Sequence, residues 1–303
     1  MSWWTRFLQS TRDRILDRCV LQPTTDFLPV GNQKRCRITL PNDWVIECFV
    51  HLDPSDQHRQ IVEPEVIATS AFDHLTPPDD LVVKFPGTGG RGERSTVFPG
   101  DLIRGMHTNR STPVRVETWT WNPPGYGNST GRITLRGLTS VAQDWLTMLT
   151  RMRCGPETRI WLVGNSLGCL PALYLGRVQQ NPNLLGLWIR NPPPLKLAIP
   201  HVASRYGAGQ LFKSMASHLP DDLDPIVSAS QCSLPTVYLT SQLDDLVKPQ
   251  WQSQIVSAHS GPAHQVILHD LAHDGLIDES HQGVIEDAMT WLLDATSVVS
   301  KNQ

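Results

Sequence analysis

The sequence predicts an α/β fold with a mostly parallel central sheet and helices on both faces. Three observations predict it. From Leu81 onward, short apolar runs alternate with segments of helical periodicity, the pattern of parallel strands covered on both sides. One such run, Arg159-Ile160-Trp161-Leu162-Val163, ends in Gly164-Asn165-Ser166-Leu167-Gly168 and passes at once into a helical segment, Cys169–Gly176. Two later runs end in loops that carry a carboxylate and a histidine, Asp244 and His273.

The elements follow in order. Residues 2–20 read as an amphipathic helix: Trp3, Trp4, Phe7, Leu8, Ile15 and Leu16 share helical spacing, and Arg6, Arg12, Asp13, Arg14 and Arg18 face elsewhere. Packing on the domain or on a partner subunit is the favoured reading. The alternative is peripheral membrane contact, with the tryptophans at the interface. Residues 1–34 form this helix and a linker, and residues 35–303 form the main domain. An antiparallel hairpin opens that domain, with runs at 36–40 and 44–50 about the turn Pro41-Asn42-Asp43. Leu81–Phe85 is a short buried strand, followed by the glycine-rich Pro86-Gly87-Thr88-Gly89-Gly90-Arg91-Gly92. No Gly-Lys-Ser/Thr follows, so that loop is not a phosphate loop; it is either a tight turn or a donor loop for an oxyanion. Residues 114–121 alternate as a strand and lead into Pro123-Pro124-Gly125-Tyr126-Gly127. Residues 135–152 are a helix with Leu138, Val141, Trp145, Leu146 and Leu149 on one side. Strands at 184–189, 235–240 and 265–269 alternate with a helix at 250–258 and a closing helix at 280–297. Residues 195–232 are irregular and acidic, and read as a short lid-like insertion.

Composition narrows the function classes. With 303 residues and 40% hydrophobic residues, the chain can bury a large core. A net charge of −3 and the lack of a basic stripe interleaved with aromatics argue against nucleic acid as the partner. The six cysteines form no C-x-x-C pair, so neither a metal site nor a dithiol is suggested, and no organic cofactor is implied. Charges interrupt the first residues before an apolar core develops, and no run is long enough to span a bilayer. A cytoplasmic location with reduced thiols is the expectation. Asn109-Arg110-Ser111 and Asn128-Ser129-Thr130 match the glycosylation pattern and carry no weight without a secretion signal.

A G-x-S-x-G pentapeptide is weak alone, and Gly127-Asn128-Ser129-Thr130-Gly131 matches it too. Ser129 follows a turn-rich stretch and no helix starts at it, so it reads as a loop residue; Ser166, between strand and helix, is the candidate nucleophile. A serine hydroxyl needs a base within hydrogen-bond reach, and the base needs a group that fixes its tautomer. In an open parallel sheet such groups emerge at the carboxyl ends of later strands. The run at 235–240 leads to Asp244 and Asp245, adjacent carboxylates of which only one can orient the base. The run at 265–269 leads to His273. His269 lies within that predicted strand and reads as a core histidine, His264 lies at the wrong end, and His281 reads as a surface or capping residue.

These residues resemble the α/β-hydrolase superfamily. The resemblance runs over residues 35–297 and rests on Phe85–Gly90, Pro124–Ser129, Gly164–Gly168, Asp244-Asp245-Leu246-Val247-Lys248-Pro249 and Ala272-His273-Asp274-Gly275. It implies Asp244, which opens a D-x-x-V-x-P turn, as the acid and His273 as the base. It also implies the backbone N–H groups of Leu167 and Thr88 as oxyanion donors. Phe85-Pro86-Gly87 stands where many members have His-Gly. The implied activity is cleavage of a carboxylic ester, with lipid-like acyl compounds and thioesters as variants, through an acyl-enzyme. The alternatives are a peptidase or acyltransferase on the same scaffold and a non-catalytic binding scaffold.

Overall fold

Parallel strands covered on both faces meet no water, so they form where apolar residues run without interruption. The computed structural model describes residues 3–54, 69–107 and 113–299. Its strands are β1 (Lys34–Thr39), β2 (Val45–His51), β3 (Asp80–Phe85), β4 (Val116–Trp121), β5 (Arg159–Asn165), β6 (Leu184–Arg190), β7 (Thr236–Ser241) and β8 (Ala263–Leu268). All six residues of β4 and of β7 are buried, whereas the edge strands β1 and β8 expose part of their length. The eight strands make one sheet in the order β1-β2-β4-β3-β5-β6-β7-β8. β2 pairs antiparallel with β1 and β4; every other pairing is parallel.

Helices cover both faces. They are α1 (Trp3–Leu21), α2 (Gly100–Met106), α3 (Leu138–Arg153), α4 (Cys169–Val178), α5 (Leu195–Ser204), α6 (Gly209–Ala216), α7 (Pro225–Ser230), α8 (Pro249–Ala258) and α9 (Gln282–Val299). One face buries Leu16 of α1, Trp145 of α3, Leu173 of α4 and Ile255 of α8 against the sheet. The other buries Ile103 of α2 and Ile285, Met289 and Leu292 of α9. Trp145 stacks on Trp121 with centroids 4.8 Å apart, and Phe85 meets both edge-on. The apolar side predicted for 135–152 is therefore the buried side of α3. Helix starts follow local chemistry: Asp224 caps α7 by accepting from Ile226 N at 3.1 Å, and Pro225 and Pro249 open α7 and α8 where no N–H is needed.

Several sequence expectations shift. β8 ends at Leu268, so His269 lies beyond the strand and is exposed rather than a core residue. α2 has no counterpart in the sequence reading, because seven residues that include Gly100 and Gly105 give too little periodicity. Residues 195–232 hold three helices: α5 and α6 pack as a pair over the carboxyl end of the sheet, and α7 packs on α4 and α8. The side chains of Trp3, Trp4, Phe7 and Leu8, residue 2 and the pattern at Asn109–Ser111 lie outside the described residues. Among the described residues no helix is long and apolar enough to cross a membrane.

Candidate active site

β5 lies between β3 and β6, and its last residue, Asn165, is followed by a reversal of direction. Ser166 takes φ = 49°, the left-handed region, which a residue with a side chain occupies only when its surroundings hold it there. The surroundings are tight. A Cβ on Gly168 would overlap the Phe85 carbonyl, and one on Gly164 would lie 2.6 Å from Cys169 Cα. The glycines thus let β3, β5 and the start of α4 converge beneath Ser166. One turn of 3-10 helix, Ser166–Gly168, then leads into α4.

The groups predicted from the later strands meet this serine. His273 Nε2 lies 2.9 Å from Ser166 Oγ, and His273 Nδ1 lies 2.7 Å from Asp244 Oδ2. The carboxylate can only accept, so the ring proton sits on Nδ1 and the serine hydroxyl donates to Nε2. Asp244 is 3% exposed. Its Oδ1 accepts from the backbone N–H of Leu246 at 3.0 Å and of Val247 at 2.7 Å, and its Oδ2 also accepts from Gln252 Nε2 at 3.2 Å. Asp245 points away: its side chain is 72% exposed and pairs with Arg205 at 3.1 Å. Of the two adjacent carboxylates, only Asp244 reaches His273.

Two polar residues that the sequence reading passed over brace this arrangement. Gln252 of α8 is fully buried, and its Nε2 also donates to Val247 O at 2.7 Å, which ties the Asp244 turn to the helix after it. Asn191, at φ = 51°, receives a bond from Ser241 N at 2.9 Å and donates to Ser241 Oγ and to His273 O, both at 3.0 Å. It thereby joins the ends of β6 and β7 to the histidine loop. No pentapeptide marks either residue; only their places after β6 and early in α8 would have singled them out.

Leu167 and Thr88 line the same cavity as Ser166 and His273. No hydrogen bond among the described residues uses the N–H of either. Gly87 brings Thr88 there, since a Cβ on Gly87 would stand 3.2 Å from Ser166 Cβ. The cavity holds about 780 Å³ and is mostly apolar, walled by Leu195, Ile199 and Val202 of α5, Phe212 of α6 and Val20 of α1. Ser129 serves structure instead: its Oγ donates to Asn122 O at 2.7 Å and accepts from Glu47 N at 2.9 Å. Of the other histidines, His264 stacks on Trp291, and His281 is buried against Asp278 and the His269 carbonyl. Cys169, next to the elbow, is buried and donates to Arg190 O at 3.0 Å; burial pushes its thiol up, so it is no competing nucleophile. Among the described residues no group of three His, Cys, Asp or Glu side chains could hold a metal ion.

No protein-family model matches the chain, and no curated protein matches it in sequence. Solved structures do match it in three dimensions. DcsB, solved with a substrate analogue, superposes with a TM-score of 0.57 at 12% identity, over 87% of this chain and 99% of that one. An esterase of Pyrococcus furiosus gives 0.56 at 13% identity, over 90% and 95%. Dipeptidyl peptidase 4 of Porphyromonas gingivalis gives 0.56 at 13% identity, over 86% of this chain and 35% of that one. With the strand order above, these similarities establish the α/β-hydrolase fold.

Proposed function

We propose that the protein is a serine hydrolase that cleaves a carboxylic ester with an apolar acyl group. Ser166 Oγ attacks the carbonyl carbon while its proton passes to His273 Nε2. Asp244 holds the imidazole in the required tautomer and stabilises the imidazolium that forms. The N–H groups of Leu167 and Thr88 stabilise the oxyanion, an effect worth about 10²–10³ in kcat per donor in comparable sites. The imidazolium then protonates the departing oxygen, the C–O bond breaks, and an acyl-enzyme remains. Water attacks that ester with His273 as base, and Ser166 leaves with its proton restored.

The observation that carries this reading is the unbroken relay from Ser166 Oγ through His273 to Asp244, at 2.9 and 2.7 Å, on a left-handed serine facing an apolar cavity. The wall of α5 and α6 supports an apolar acyl group rather than a peptide, whose amides would lose water there without gaining partners. A graded series of p-nitrophenyl esters, run beside aminoacyl-nitroanilides, tests it. We expect turnover of the esters, with kcat/KM rising with acyl length until the cavity is filled. Turnover of the nitroanilides alone, or of neither series, contradicts the reading.

A further inference from the structure

A second cavity, of about 620 Å³, opens beside the first and shares Gly87 and Asn165 with it, the residues that flank Ser166. The two linings differ in chemistry. Lys84, Arg91, Arg94 and Arg190 line the second cavity, and Asp101 is its one acid among the described residues. Arg91 is neutralised by a buried pair with Glu93. The other three form no ion pair among the described residues, although Asp101 acts on Lys84, and Asp244 and Asp274 act on Arg190, from farther away. Lys84 Nζ donates to the carbonyls of Thr96 at 2.7 Å and Phe98 at 2.6 Å. Arg190 donates to the Gly275 carbonyl, and its Nε is buried without a partner. The Arg94 side chain is exposed and makes no hydrogen bond or ion pair among the described residues. Burial pushes the Lys84 ammonium down to about 8, so it stays largely charged at neutral pH while poorly solvated. Three undercompensated cations around one concavity attract an anion and give it charge-assisted donors. Leu276 and Ile277, just beyond His273 in the chain, complete the wall of the second cavity, and the shared Gly87 and Asn165 set it next to Ser166, whose side chain and that of His273 line the first cavity.

We infer that this second cavity is the leaving-group subsite, and that the substrate is an ester whose alcohol part carries a phosphate or carboxylate held by Lys84, Arg94 and Arg190. This rests on the proposed hydrolase chemistry at Ser166 and adds the substrate class to it. The apolar acyl group lies under α5 and α6, the scissile carbonyl lies over Ser166, and the anionic alcohol lies across Asn165.

Butyrate esters of 4-hydroxyphenyl phosphate, 4-hydroxybenzoate and methyl 4-hydroxybenzoate test it, with 4-nitrophenyl hemisuccinate placing the charge on the acyl side. One charge-assisted contact corresponds to about a tenfold difference in kcat/KM. We expect the anionic alcohols to exceed the neutral one by at least about that factor, with the better of phosphate and carboxylate naming the anion. Arg94→Ala, at an exposed position whose loss leaves the core intact, and Lys84→Met should each lower that ratio about tenfold. Equal rates on charged and neutral alcohols, a preference unaltered in both variants, or a preference for the hemisuccinate overturns the inference. If no ester is turned over, the reading of Ser166 fails, and the subsite is judged separately by calorimetric binding of 4-hydroxyphenyl phosphate. Equal binding by the native protein and Arg94→Ala overturns it.

Discussion

Asp244 and Asp245 are the same residue type one position apart, yet the fold gives them opposite surroundings. The first is buried among four hydrogen-bond donors that include His273; the second is exposed on Arg205. Asp244→Asn should leave the histidine in the wrong tautomer and lower kcat by about 10⁴, whereas the exposed pair of Asp245 contributes little, so Asp245→Asn should stay within about twofold. Steady-state ester kinetics on the two variants check this. Such a pair also marks where sequence reading stops. Spacing after a strand delivers a carboxylate to the right loop, but which of two neighbours turns inward depends on the Leu246 and Val247 amides and on Gln252, which only the folded turn brings together. Ser166 was legible because its strand, its glycines and its helix are contiguous. Asn191 was not, because its partners are Ser241 and His273, far along the chain.

At the scale of elements, the elbow and the edge strands carry separate burdens. Gly168→Ala sets a methyl group against the Phe85 carbonyl, and backbone cannot swing aside as a long side chain can. Overpacking of this kind costs about 1–3 kcal/mol or more, and urea unfolding should show a loss at or above the top of that range. Glu47 of β2 joins the sheet edge to the Gly127-Asn128 loop: it accepts from Asn122 Nδ2 at 2.7 Å and from Asn128 Nδ2 at 2.8 Å, and pairs with Arg35 at 3.1 Å. Burial raises its pKa, but the bonds from Asn128 and Asn122 and the charge of Arg35 outweigh this and hold it below the ordinary 4.5. A carboxylate with a depressed pKa in the folded state adds stability above its unfolded pKa, and that stability is lost as pH falls through the folded one. Melting curves should therefore separate the native protein from Glu47→Gln most at neutral pH and converge below about pH 4.5. The strands themselves were legible wherever burial on both faces made the apolar run continuous. Boundaries moved by one or two residues, and His269 changed from strand to exposed loop, because an edge strand such as β8 has only one neighbour to fix its end.

For the molecule as a whole, the end of α1 is tied into the site. Tyr126 Oη donates to Leu21 O, Gly89 N donates to the same carbonyl at 3.2 Å, and Gly127 N donates to Thr24 O at 2.9 Å. Leu16 is 1% exposed within the core, and Val20 walls the cavity that holds Ser166 and His273. Leu16→Ala should cost about 2–5 kcal/mol in urea unfolding, as for other buried leucines. A helix that read as packed on the domain or on a partner subunit thus borders the candidate site; periodicity identifies an apolar face without identifying what it packs on. The central claim is that Ser166 is the nucleophile. A fluorophosphonate probe, followed by mass-spectrometric mapping of the adduct, tests it most directly. The account predicts one adduct, on Ser166, absent from Ser166→Ala and formed far more slowly in His273→Ala. An adduct on another residue, or labelling that persists in Ser166→Ala, would contradict it.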